Sequence, residues 1–272
     1  MTDKYAVIGN PIEHSKSPQI HSAFAEQTGQ DLVYTRLLGE PGHFERDVKA
    51  FIDAGGRGLN VTVPFKEDAW QLADERSPRA ETAGAVNTLI LLDDGRLRGD
   101  NTDGVGLVRD LTVNHGASLK GSRILLLGAG GASKGVVRPL LEEQPETLVI
   151  ANRTASKALD LAAELSALGS VEGCGLDELQ GRRFDVIVNG TAAGLGGQVP
   201  DIPDDILQPG GWTYDMMYAS EPTAFVRWGE RHGASQALDG LGMLVEQAAE
   251  SFYLWRGVRP ETAPVIGMLR GA

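Results

Sequence analysis

The run Arg123-Ile-Leu-Leu-Leu-Gly128-Ala129-Gly130-Gly131-Ala132-Ser133 constrains this chain more than any other stretch. An uninterrupted apolar run feeding a glycine turn reads as a buried strand entering a helix. Gly128 allows a tight turn, and Gly130 lets the backbone come close to a pyrophosphate. The helix opening near Gly131 would point free N–H groups and the positive end of its dipole at the same place. Ser133 stands where the usual third glycine would be. Taken alone, the turn also fits a purely steric need for glycine.

The next strand adds to it. After a helical segment from about Lys134 to Glu143, Thr147-Leu-Val-Ile-Ala-Asn152-Arg153-Thr154 supplies a second apolar strand, ending about 20 residues past the glycines, where a dinucleotide's ribose is read. A carboxylate at that strand end accepts from the 2′-hydroxyl of NAD. Here the end carries Asn152, Arg153 and Thr154, with Lys157 one turn on. Two cations and a hydroxyl suit a 2′-phosphate, so the pattern predicts NADP as the cofactor. The blander alternative is that Thr154 caps the next helix and Lys157 is simply solvated.

The 272 residues, 42% of them hydrophobic, suffice for two domains, each with its own core. A net charge of −12 argues against a nucleic-acid or anionic-membrane partner and leaves room for a local cationic pocket, so a small-molecule partner is expected. A single cysteine, Cys174, excludes an internal disulfide and a cysteine-based zinc cluster, and no metal is expected. The N-terminus lacks a signal-peptide pattern and no apolar run approaches membrane-spanning length, which predicts a cytoplasmic location.

Strands and helices alternate along most of the chain. The first half reads strand (5–9), helix (18–29), strand (32–38), helix (41–54), strand (58–63) and helix (65–73). A hairpin follows, Val86 to Leu92 and Arg96 to Gly99 around Asp93-Asp-Gly95, as the one clearly antiparallel element. The rhythm restarts at Asp103, with strands at Arg123, Thr147, 184–189 and 212–215, and two closing helices at 240–256 and 261–269. The predicted fold is α/β in two domains. One is an N-terminal α/β domain with a mainly parallel sheet, up to a boundary near Asp103; the other is the Rossmann-type dinucleotide domain that follows, and the pattern alone does not fix where the two closing helices go.

Polar residues in the first half sit where packing does not call for them. In Leu59-Asn60-Val61-Thr62-Val63-Pro64-Phe65-Lys66, strand alternation puts Asn60 and Thr62 on one face and the apolar residues on the other. Lys66 falls in the first turn of the next helix, where the dipole opposes an ammonium; that placement suits a proton carrier, and a solvated lysine is the alternative. In His14-Ser15-Lys16-Ser17-Pro18, Ser17 reads as an N-cap, and Ser15 has no such explanation. Two hydroxyls at a helix start could bind a carboxylate or a polyol. Asp103, in Gly99-Asp-Asn-Thr-Asp103-Gly, begins a helix and would also serve as a cap; the run fails the calcium-loop pattern.

These residues resemble the bacterial shikimate dehydrogenase family of the biosynthetic, NADP-linked type, over essentially the whole chain. The resemblance is carried by Gly9-Asn-Pro-Ile-Glu-His-Ser-Lys-Ser-Pro18, Asn60-Val-Thr-Val-Pro-Phe-Lys66, Gly84-Ala-Val-Asn87-Thr, Gly99 to Gly104, Gly128 to Ala132, Asn152-Arg-Thr154, Tyr214-Asp-Met-Met-Tyr218 and Asp239-Gly-Leu-Gly-Met-Leu-Val-Glu-Gln247. Ala192 and Ala193 stand where the family often has serines.

The resemblance implies reversible reduction of 3-dehydroshikimate to shikimate in aromatic amino acid biosynthesis. Ser15 and Ser17 would hold the substrate carboxylate. Asn60, Thr62, Asn87, Tyr218 and Gln247 would bind the carboxylate or hydroxyls, and Lys66 with Asp103 would form the catalytic pair. Gly128, Ala129, Gly130, Gly131, Ala132, Asn152, Arg153, Thr154 and Lys157 would hold NADP, with Met216 and Gly240 lining the nicotinamide pocket. It also implies that the closing helices return to the first domain, giving a substrate domain of 1–103 plus 240–272 and a Rossmann NADP domain of 104–239, that a cleft between domains opens and closes with Gly104 and Gly240 as hinge elements, and leaves a homodimer open. The rivals are the NAD-using quinate/shikimate branch, which has an acidic residue at the ribose-reading position, and a non-catalytic NADP-binding regulator, which would be expected to lose Lys66 or Asp103.

Overall fold

A computed structural model describes residues 2–271 apart from 192, 194 and 195. The chain forms two compact units, Met1–Gly106 with Val245–Ala272, and Leu107–Leu244. The changeovers fall inside helices, a few residues beyond the loops at Asp103 and Gly240.

The first unit contains β1 (Asp3–Gly9), α1 (Ser17–Thr28), β2 (Leu32–Leu38), α2 (Phe44–Asp53), β3 (Gly56–Val61), α3 (Lys66–Leu72), β4 (Glu75–Arg76), α4 (Pro78–Ala83), β5 (Thr88–Leu91) and β6 (Leu97–Asp100). The sheet order is β2-β1-β3-β5-β6-β4. β1 runs parallel to β2 and β3, β4 runs parallel to β6, and β5 is antiparallel to both β3 and β6. β1 is buried on both faces: Ala6 and Ile8 pack with Leu59, Val61, Phe44 and Phe65, while Tyr5 and Val7 pack with Tyr34 and Trp255. That two-sided burial explains why its apolar residues run on without alternation.

β3 ends at Val61, two positions before the expected end at Val63. The Thr62 N–H donates to Ile8 O, and the Phe65 N–H closes a turn onto Thr62 O. Val63 is consequently 68% exposed, whereas Phe65 is buried and stacks on Phe44. A buried aromatic just after the proline holds the chain to the turn. β4 and α4 escape sequence reading, because 74–83 lacks an apolar periodicity; Ser77 caps α4 by accepting from Ala80 N–H.

α5 (Asp103–Arg109) leads into the second unit and continues as a π-helical turn, Asp110–Asn114. There follow β7 (Arg123–Leu127), α6 (Gly131–Glu142), β8 (Thr147–Asn152), α7 (Ala155–Leu165), β9 (Val171–Gly175), β10 (Phe184–Asn189), β11 (Leu207–Asp215), α8 (Ala224–Arg231) and β12 (Gln236–Leu238). All strands are parallel, in the order β12-β11-β10-β7-β8-β9. This is the doubly wound order, and its reversal point lies between β7 and β10, where such sheets bind ligands beyond the strands' carboxyl ends. Along β7, Ile124 and Leu126 enter one core cluster and Leu125 and Leu127 the other. β9 is equally hard to read from sequence, because Val-Glu-Gly-Cys-Gly has no apolar run.

The chain closes with α9 (Leu241–Arg256) and α10 (Ala263–Arg270). In the first unit Trp255 of α9 donates from Nε1 to Leu89 O at 3.0 Å and stacks on Tyr5, ring centres 4.7 Å apart. Among the described residues no helix is long and apolar enough to cross a membrane.

Candidate active site

In the first unit, Lys66 opens α3 and Asp103 opens α5, and the two side chains meet. Lys66 Nζ donates to Asp103 Oδ2 at 2.6 Å; the side chains are 31% and 16% exposed. Asn87 Nδ2 donates to the other carboxylate oxygen, Asp103 Oδ1, at 2.8 Å, and also faces Thr102 Oγ1 at 2.9 Å and Gln247 Oε1 at 3.3 Å. Asn87 is itself fixed, its Oδ1 accepting from Thr102 N–H and Thr88 Oγ1–H. The Asp103 carboxylate is therefore engaged by Lys66 and Asn87, and Asn101 Oδ1 accepts from the Asp103 N–H. This grouping of an ammonium, a carboxylate and two amides can exchange a proton with an oxygen brought to Nζ and can hydrogen-bond neighbouring hydroxyls.

Ser15 and Ser17 lie together with their Oγ atoms 3.2 Å apart. The expected N-cap role of Ser17 is corrected: α1 begins at Ser17 itself, its N-cap is Lys16, and no side chain caps it. Ser15 instead takes the local role, accepting from the Ser17 N–H at 3.3 Å. Arg36 on β2 clamps the turn from outside, donating Nε and a terminal nitrogen to Ser15 O at 3.1 and 2.5 Å. Thr62 is half-buried just beyond β3.

Asn60 is 6% exposed and its amide is saturated by protein. Its Oδ1 accepts from Tyr34 OH at 2.7 Å and faces His21 Nε2 at 3.1 Å. Its Nδ2 faces Asn87 O, Thr88 Oγ1 and Ser251 Oγ at 3.2, 3.3 and 3.0 Å. Gln247, on α9, closes the group through its contacts with Asn87 and Thr102.

Sequence reasoning did not single out His21, Tyr34, Thr88, Thr102, Ser251 or Arg36. A polar residue on a buried strand or helix face is a signal only once it is known which face is buried.

In the second unit the glycine turn sits at the reversal point. Gly128 has φ +103°, a backbone that L side chains rarely adopt, and it abuts Gly190 at the end of β10. Among the described residues a Cβ added at Gly130 or Gly131 would meet nothing within 4 Å, so the space before α6 is open to them. No side chain caps the first turn of α6. Ala129 is half-buried, Ala132 exposed, and Ser133 buried against the turn. The cradle fits a dinucleotide pyrophosphate: open space, a glycine backbone and uncapped N–H groups coincide.

At the end of β8, Asn152 Nδ2 donates to Thr154 O at 2.9 Å and shapes the turn. Thr154 occupies the N-cap of α7, yet its side chain makes no capping bond. Its hydroxyl is thus not consumed in the way the blander reading required. Arg153 and Lys157 are exposed, and neither has a carboxylate within salt-bridge distance among the described residues. Two cations and a hydroxyl remain available to an anion.

The loop after β11 is held by Asp215, another residue the sequence did not mark. It accepts from Asn189 Nδ2 at 3.1 Å, Met217 N–H at 3.1 Å and Thr223 Oγ1–H at 2.6 Å. That loop carries Met216 and Tyr218, both half-buried; burial pushes the Tyr218 phenol above its usual range. Gly240 packs on it so closely that a Cβ would lie 2.3 Å from Met216 O. Of the alanines that follow Asn189-Gly-Thr191, Ala192 lies outside the described residues.

An all-parallel doubly wound sheet with an open glycine cradle, on one chain with a lysine–carboxylate pair, defines a dinucleotide-dependent oxidoreductase. Family comparison makes it specific. Residues 7–89 match the shikimate dehydrogenase substrate binding domain, 110–195 the shikimate / quinate 5-dehydrogenase family and 240–267 the shikimate 5'-dehydrogenase C-terminal domain. The chain is 62% identical to the shikimate dehydrogenase (NADP(+)) of Alkalilimnicola ehrlichii over 99% of both chains. It is 61% identical to that of Methylococcus capsulatus over 98% of this chain and 96% of the relative. The shikimate 5-dehydrogenase of Thermus thermophilus, solved in complex with NADP(H) and shikimate, superposes with a TM-score of 0.87 at 32% identity, covering 99% of each chain. The protein belongs to the shikimate dehydrogenase family.

Proposed function

We propose that this chain catalyses the reversible, NADP-dependent reduction of 3-dehydroshikimate to shikimate, an oxidoreductase step at a CH–OH group that serves aromatic amino acid biosynthesis. The observation that carries the reading is the Lys66–Asp103 pair, aligned on its second carboxylate oxygen by Asn87. Relatives of 62% and 61% identity named for NADP(+) support it, as do the uncommitted Arg153, Thr154 and Lys157.

NADPH, when bound, supplies the hydride to the ring ketone, and NADP+ accepts it in reverse. As negative charge gathers on the ketone oxygen, the Lys66 ammonium stabilises it and gives it a proton from Nζ, leaving the hydroxyl of shikimate and a neutral amine. In the oxidative direction neutral Lys66 takes that proton back. Asp103 holds Nζ in place in both directions. Ser15 and Ser17 bind the substrate carboxylate, and Thr62, Asn87, Tyr218 and Gln247 bind the carboxylate or ring hydroxyls. Tyr218 suits a donor's part, since burial keeps its phenol protonated.

On the cofactor side, the backbone of Gly128, Ala129, Gly130, Gly131 and Ala132 would hold the pyrophosphate. Asn152 shapes the ribose end, where Arg153, Thr154 and Lys157 bind the 2′-phosphate; Met216 and Gly240 line the nicotinamide pocket. The reading carries with it a cytoplasmic enzyme acting on a small molecule. A homodimer is the assembly to test by sedimentation.

The test is to follow nicotinamide absorbance with shikimate or quinate, each with NADP+ and NAD+. Shikimate with NADP+ should be the fastest of the four. A preference for quinate with NAD+ would place the chain in the dual-specificity branch, and no turnover of any pair would point to the regulator.

A further inference from the structure

Behind the substrate-facing residues lies a buried group that the mechanism above does not use. The Asn87 carbonyl can only accept, so the Asn60 atom facing it at 3.2 Å is the amide nitrogen, and the oxygen faces Tyr34 and His21. That oxygen can only accept in turn, so Tyr34 OH and His21 Nε2 both donate to it, at 2.7 and 3.1 Å. His21 therefore carries its proton on Nε2, and Nδ1 is left buried without a partner.

The imidazole is fully enclosed. It lies flat on Tyr34, with ring centres 4.2 Å apart and planes 4° from parallel, and is surrounded by Phe24, Phe252 and Trp255. Burial pushes its pKa down to about 3, so the ring is neutral. An apolar side chain of similar size would fill this cage without leaving an orphaned nitrogen. The feature that an apolar residue would lack is the Nε2–H donor.

Asn60 is the hub of a continuous hydrogen-bonded chain. On one side the Tyr34 hydroxyl lies near the Ser17 side chain, whose Oγ faces Ser15. On the other, Asn60 Nδ2 reaches Asn87 O and Ser251 Oγ. Ser251 Oγ meets Thr102 Oγ1 at 3.3 Å, and Asn87 reaches Asp103 and so Lys66.

We propose that His21 and Tyr34 are positioning residues of this site: their two donors lock the Asn60 amide in the one orientation that braces Asn87, and through Asn87 the Asp103–Lys66 pair. The inference rests on the proposed function for its kinetic consequence but not for its geometry. Asn60 accordingly acts on the pair through Asn87.

Three variants of the full chain test it, with shikimate and NADP+ as substrates. His21→Leu fills the cage and lacks the donor; it should lower kcat about tenfold while KM for shikimate moves by less than about threefold. His21→Gln restores an N–H toward Asn60 Oδ1 and should recover kcat to within about threefold of the parent. Tyr34→Phe keeps the ring stack but removes the second donor, and should lower kcat by a similar factor. A purely packing role predicts the reverse order, with His21→Leu equal to or better than His21→Gln, and that result would overturn the proposal, as would unchanged kcat in Tyr34→Phe. Nitrogen NMR of the parent gives a reading independent of turnover: at about pH 6, where an exposed histidine is partly charged, the His21 ring should be neutral with its proton on Nε2. A proton on Nδ1 or a charged ring would refute the lock even in a protein that proved inactive on shikimate, whereas inactivity with the expected ring state would refute only the assigned reaction.

Discussion

Asp103 binds Lys66 through one carboxylate oxygen and Asn87 through the other, at 2.6 and 2.8 Å, so the ammonium is fixed in direction as well as in distance. The carboxylate sits in the first turn of α5, where the helix dipole favours an anion; the ammonium sits in the first turn of α3, where it does not. Asp103 thus supplies at close range, 2.6 Å from Nζ, a negative charge that offsets the unfavourable end of the α3 dipole.

Lys66→Ala should lower kcat by about a hundredfold to ten-thousandfold while changing KM for shikimate only a few-fold, because the interaction strengthens as charge develops on the reacting oxygen. Steady-state kinetics in both directions measure this. A loss confined to KM would make Lys66 a binding residue only.

Arg153→Ala should weaken NADP+ by roughly tenfold or more and leave NAD+ nearly unchanged, since a phosphate-pairing arginine contributes about 1.5–3 kcal/mol of charge-assisted bonding. Thr154→Val should show the same selectivity with a smaller loss, because the hydroxyl makes no capping bond that its removal would break. Equal loss for both cofactors, measured by titrating each, would dismiss the phosphate pocket.

Much of this site could be read from the chain because its signals are local. The glycine turn, the Arg153-Thr154 strand end and the hairpin at Gly95 are each specified by residues next to one another, and β2 and β8 end where apolar runs end. What the sequence does not carry is non-local. Ser17 reads as a cap because Pro18 follows it, but the helix starts one residue earlier and Ser15 makes the turn's bond. Alternation shows only that Asn60 is a polar residue on a strand, whereas its amide partners Tyr34, His21 and Ser251 come from three distant elements. Its role is set by what packs against β3, and no spacing rule within β3 contains that.

The loop that delivers Asp103 is anchored at its start by a buried ion network. Asp100, 2% exposed, accepts from Arg79 at 2.6 and 3.1 Å, from Ser77 Oγ at 2.5 Å and from the Asn101 N–H at 2.7 Å; Arg79 also reaches Glu250 at 3.0 Å, which binds Arg259. Arg79→Met leaves two buried carboxylates without their shared cation, and removing one partner of a buried pair costs about 3–5 kcal/mol. Urea unfolding should show a loss of that order, with kcat reduced as the Asp100 to Asp103 run loosens. A change below about 1 kcal/mol, the scale of a surface pair, would mean that water replaces the arginine without penalty.

His21 gives the protein a pH dependence of definite sign. In the folded chain its pKa lies at about 3, whereas in the unfolded chain it returns to about 6.5. Between those values the unfolded state binds a proton that the folded state refuses. The stabilisation is therefore fully present above about pH 6.5 and is lost as the pH falls toward 3, with a slope of up to about 1.4 kcal/mol per pH unit. Carboxylates titrate in the lower part of the same window, so the comparison that isolates His21 is the parent against His21→Gln, unfolded in urea at about pH 6.5 and about pH 5. The parent should lose roughly 1.6 kcal/mol more than the variant over that interval. Parallel losses would mean that the folded protein accepts the proton on His21, which is incompatible with a sealed cage and an unpartnered Nδ1.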